Sequence, residues 1–74
     1  MFHLFEADST LVNLDELSSA KVVYHEEEEE FILNLHMKNG NIIKLYYNYH
    51  DEADNELRKI YDKLANGNKG FFKI

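Results

Sequence analysis

FILNLHMKNGNIIKLYY, residues 31–47, decides the fold, because its pairing register settles which side chains meet inside. Phe31, Leu33, Leu35 and Met37 alternate with Ile32, Asn34, His36 and Lys38. After the turn, Ile43, Leu45 and Tyr47 alternate with Lys44 and Tyr46. Period two marks two half-buried strands. Asn39-Gly40 by itself suggests a two-residue type I′ loop. That loop sets Leu35 against Lys44 and Leu33 against Tyr46, which joins opposite faces. A three-residue loop, Lys38-Asn39-Gly40 with Gly40 left-handed in a bulge, sets Leu35 against Ile43 and Leu33 against Leu45. A slip of one residue turns every side chain over, so the apolar pattern selects the bulged loop. Gly40 is then required for its positive φ and not for a phosphate.

Working outward, FHLFE (2–6) reads as a short strand and ADS as a turn. TLVNL (10–14) reads as a second strand, DELSSA (15–20) as a bend or short helical turn, and KVVYHE (21–26) as a third strand. From about 49 to 66 the period becomes helical: Ala53, Leu57, Ile60, Tyr61 and Leu64 form one stripe. Asp51, Glu52, Asp54 and Glu56 precede Arg58, Lys59 and Lys63, the order that the helix dipole favours. Asn48 or His50 marks the helix start and Gly67 the stop. The tail at 69–74 reads as an arm or as one more short edge strand. The expectation is a single α+β domain over 1–74: an antiparallel meander of about five strands packed by one C-terminal helix.

Composition narrows the function classes. At 74 residues there is one core, and a chain this short buries only about 60% of its unfolded surface. With no cysteine there is no disulfide and no Cys/His zinc pattern, so added burial would come from a copy of itself or another partner. MFHLFEADST has no basic region and no long apolar run, so it does not read as a signal peptide. No run approaches the ~20 apolar residues that cross a bilayer. Cytoplasm is the expected compartment. The net charge of -6 disfavours direct binding to phosphate backbones and inclines towards a basic protein partner.

In the order LVNLDEL, FILNLHMKNGNIIKLYY, DEADNELRKIYDKL, the chain resembles a loose class of small bacterial and phage accessory proteins. These carry an LxNL segment, an Asn-Gly hairpin and a closing helix, a layout similar to that of small flagellar-operon accessory proteins. The resemblance covers about residues 10–65. It implies an accessory role, in a phage or other mobile element, and transfers no catalytic residues.

Each candidate for chemistry has a plainer role beside it. Glu26, Glu27, Glu28, Glu29 and Glu30 lie between two strands, where a charged hairpin end is the plain reading and an anionic patch imitating nucleic-acid phosphates the functional one. His3, His25, His36 and His50 lack the spacing of a metal site and read as surface histidines. No serine sits in a nucleophile-elbow context, the carboxylates have no expected desolvated cleft, and a domain this small is expected to lack one. The expectation is therefore no enzyme, no cofactor and no metal. Tyr46 and Tyr49, with Phe71, Phe72 and Ile74 in the tail, are the candidate partner interface. The expected function is a non-catalytic acidic interaction module; the alternative is an acidic nucleic-acid mimic that inhibits a DNA- or RNA-binding enzyme.

Overall fold

The computed structural model describes residues 1–67. The expected arm or edge strand at 69–74, with Phe71, Phe72 and Ile74, lies outside the described residues. The chain runs β1 (Phe2–Phe5), β2 (Thr10–Asn13), β3 (Leu17–His25), β4 (Glu30–Met37), β5 (Ile42–Tyr47) and α1 (His50–Gly67). The class is α+β with antiparallel strands and a C-terminal helix.

The decisive ribbon takes the bulged register. Leu33 pairs with Leu45 and Leu35 with Ile43 across β4 and β5. The Met37 N–H donates to Asn41 O at 2.8 Å and the Gly40 N–H to Met37 O at 3.0 Å, which closes a loop of Lys38, Asn39 and Gly40. Gly40 has φ +92, a conformation that other residues rarely adopt. The Asn39 side chain accepts from the Asn41 N–H at 2.9 Å and holds the loop from within.

Two expectations need correction. Leu17–Ala20 is not a bend; it opens β3, where Ala20 pairs with Leu35 and Val22 with Leu33. Only Leu14–Glu16 forms a helical turn, so TLVNL loses its last residue to that turn. The Asn13 side chain caps it by accepting from the Asp15 N–H at 3.1 Å. This turn also breaks the meander, because it redirects the chain between β2 and β3. The strands consequently form two sheets, β1-β2 and β3-β4-β5, with no pairing between β2 and β3.

α1 lies across one face of the three-stranded sheet. Leu33, Leu35, Leu45 and Tyr47 from the sheet meet Ala53 and Ile60 from the helix, and the hairpin adds Phe5 and Val12, with Leu14 just after it. Fully burying each large apolar side chain stabilises by roughly 1.5–3 kcal/mol. Leu57 and Leu64 pack beside this core, as the stripe predicts. Tyr61 does not follow them inward: it is 55% exposed, because it falls at the margin of the stripe. The hairpin leans on the opposite flank of the helix, where Lys63 Nζ donates to Phe2 O at 3.2 Å.

Candidate interaction surface

The three-stranded sheet has a second face, turned away from α1. Its cross-strand rows are Val23–Ile32–Tyr46, Lys21–Asn34–Lys44 and Ser19–His36–Ile42. Tyr46 is where alternation places it, half-exposed beside Ile32, and Lys21 and Lys44 flank Asn34. The Oδ1 of Asn34 is buried without a hydrogen-bond partner among the described residues. Tyr49 is exposed in the bend before α1, outside the ladder.

A second exposed surface was not singled out from the sequence. In β1, His3 and Phe5 point inward, which sends Phe2 and Leu4 outward. Leu4 pairs with Leu11 of β2, and the three are 59%, 51% and 62% exposed in the order Phe2, Leu4, Leu11. The signal lay in FHLF: a short strand without polar alternation is apolar on both faces, and one core can cover only one of them.

The glutamate run is a hairpin end. Glu26–Glu29 make the turn, and Glu30 already belongs to β4, paired with His25. The Glu29 N–H donates to Glu26 O at 3.3 Å with Glu29 at φ 52, and His25 pairs with Glu28. Other carboxylates gather at this end. Phe31 stacks edge-on against His50 with ring centroids 5.5 Å apart, which brings the start of α1, with Asp51 and Glu52, to the glutamate turn. Tyr47 pairs with Phe31 and senses Asp8 from the β1-β2 turn.

His3 is a correction: it is not a surface histidine but buried, 6% exposed. Its Nε2 lies 3.0 Å from Glu56 Oε2, while Nδ1 is buried without a partner among the described residues. The ring packs edge-on against Phe5 at 4.6 Å. Alternation with Phe5 could have placed His3 inside, but the partner is distant in sequence and leaves no local trace. Tyr47 lies nearby with its phenol pushed up to about 12, mainly by burial and then by the negative charges of Glu56, Asp8 and Glu52. On the exposed helix face, Arg58 Nε donates to Asp54 Oδ2 at 2.8 Å, and this bond holds the Asp54 carboxyl below its ordinary range.

The expectation of no cleft also fails. A groove of about 710 Å³ runs between the start of β3 and the second half of α1. Leu14, Leu17, Ala20, Leu57, Ile60 and Leu64 supply its apolar wall, and Asp15, Lys38 and Tyr61 are its ionisable residues. Among the described residues, hairpin packing covers one flank of the helix and leaves the other open. Among the described residues, no three His, Asp or Glu side chains converge to hold a metal, and no helix is long and apolar enough to cross a membrane. Compared with protein-family models, curated proteins and solved structures, the chain matches none.

Proposed function

We propose that the chain is a non-catalytic protein-interaction module that docks the outer face of its β1-β2 hairpin on an apolar protein surface, first of all that of a second copy. One observation carries this reading: Phe2, Leu4 and Leu11 stand more than half exposed on paired strands. Contiguous apolar surface of this kind is what interfaces cover. Phe2, Leu4 and Leu11 carry no charge, so a two-fold contact between copies meets no repulsion there. The sheet face bearing Tyr46 is less suited to self-contact, since Lys21 and Lys44 would be stripped of water. Accessory work in a bacterial or phage setting, in the cytoplasm, belongs to this reading and draws its support from the resemblance in layout.

Sedimentation from about 1 μM to 1 mM, a range covering weak to moderate dimers, tests it. The expected result is a mass that rises with concentration in the native chain and stays monomeric in a Leu4→Lys/Leu11→Lys variant of unchanged thermal stability. A monomer over the whole range, or a dimer that the variant leaves intact, overturns it.

A second reading, the acidic nucleic-acid mimic, is favoured by the gathering of Glu26–Glu29, Asp51 and Glu52 at one end of the molecule. It requires binding to a basic nucleic-acid-binding enzyme that weakens with salt and with Glu26–Glu30 changed together to glutamine. Affinity indifferent to both would dispose of it.

A further inference from the structure

Among the described residues, nothing covers the apolar wall of the groove beside α1. We infer that it receives the chain's own C-terminal segment, residues 68–74, in the same molecule. Three observations converge. First, the groove lies along the half of the helix that leads into this segment: Leu57, Ile60 and Leu64 line it, and α1 ends at Gly67. Second, the segment is long enough. Seven residues reach up to about 23 Å when extended, whereas Leu57 to Leu64 spans about 10 Å of helix. Third, Asn68-Lys69-Gly70-Phe71-Phe72-Lys73-Ile74 is apolar at three of its last four positions, which suits a wall of leucine, isoleucine and alanine.

The layout of the fold gives this placement a purpose. The helix has two flanks on the sheet. The β1-β2 hairpin packs on the flank that carries Glu56 and Lys63, and the flank that carries Leu57 and Leu64 has no counterpart among the described residues. β3 is also an outer strand of its sheet, and the stretch that borders the groove holds a bulge between Leu17 and Ser19. A covering segment there shields both the apolar wall and an open strand edge.

The chain contains no cysteine, so a site-directed disulfide reports the placement cleanly. Ala20→Cys, on the inner face of β3 and in the groove wall, is combined in turn with Phe71→Cys, Phe72→Cys and Ile74→Cys in the full chain under mild oxidation. At least one pair should close within a monomer, seen as faster migration without reductant at unchanged oligomer mass. In parallel, Phe71→Ser/Phe72→Ser should lower Tm by at least about 5 °C, the shift expected when a small domain loses a modest amount of apolar burial. Bridges that form only between chains would overturn the inference in favour of exchange between copies. Failure of all three pairs to bridge, with Tm unmoved by the serine pair, would overturn it outright.

Discussion

At the scale of single residues, the interior holds one polar knot in an otherwise apolar core. His3 and Glu56 meet at 3.0 Å, and Tyr47 sits close enough to feel the carboxylate. The consequence is a stability that depends on alkaline pH. The Tyr47 phenol is raised from 10 to about 12 in the folded chain, so between these values the unfolded chain releases a proton that the folded chain keeps. The Tyr47 contribution to folding stability is therefore full below pH 10 and is lost as pH rises towards 12. A tyrosinate absorbance titration of the native chain should show a late component that Tyr47→Phe lacks. Glu56→Gln keeps a hydrogen-bond partner for His3 yet removes the largest charge acting on the phenol, so the late component should move down while staying above 10, because burial remains the main cause. No movement in that variant would mean that Glu56 does not act on Tyr47.

At the scale of elements, the β4-β5 loop is where a single residue type is required. Gly40 sits at φ +92, and an added Cβ would meet nothing within 4 Å. Any cost of Gly40→Ala is thus backbone strain alone, about 1–2 kcal/mol. Gly40→Asn should cost less, because asparagine tolerates left-handed backbone better. Urea unfolding checks both, and equal costs would mean that the loop had re-registered. This loop shows how much of the fold was legible: a period of two on both strands, set against a one-residue slip, left one register that buries a consistent face. The helix was legible for the same reason. DELSSA misled because Ser18 and Ser19 look turn-like, although the strand begins at Leu17 and absorbs them through a bulge. Candidate surfaces were harder to read. Tyr46 followed from alternation, whereas Leu4 beside Leu11 and His3 beside Glu56 depend on pairings across the fold that no local pattern encodes.

At the scale of the whole molecule, charge is distributed unevenly. Glu26–Glu29 form a run of like charge at the β3-β4 turn, and the Phe31–His50 contact brings the first turn of α1, with Asp51 and Glu52, towards that end. Like charges so placed repel one another and favour expansion, and salt screens them within about 10 Å at 0.1 M. Thermal midpoints should therefore climb as salt is raised from low ionic strength. Replacing Glu26–Glu29 with glutamine should raise the low-salt midpoint and flatten the climb. A midpoint that ignores salt would mean that the acidic end is already relaxed by solvent. In the same molecule Lys21 and Lys44 stand in one row on the far sheet face, so two surfaces of opposite character coexist on one small body.

The helix that closes the core is also the last described stretch of the chain to be synthesised. Until Ile60 and Leu64 have left the ribosomal tunnel, the inner side of the ladder has nothing to lie against. All three strand pairings, β1-β2, β3-β4 and β4-β5, can form early, since their partners are neighbours in sequence, but their apolar sides would wait uncovered. Closure of the core consequently waits for α1 to emerge. During that interval the apolar inner face of the ribbon, with Leu33, Leu35 and Leu45, stays open to non-native contacts.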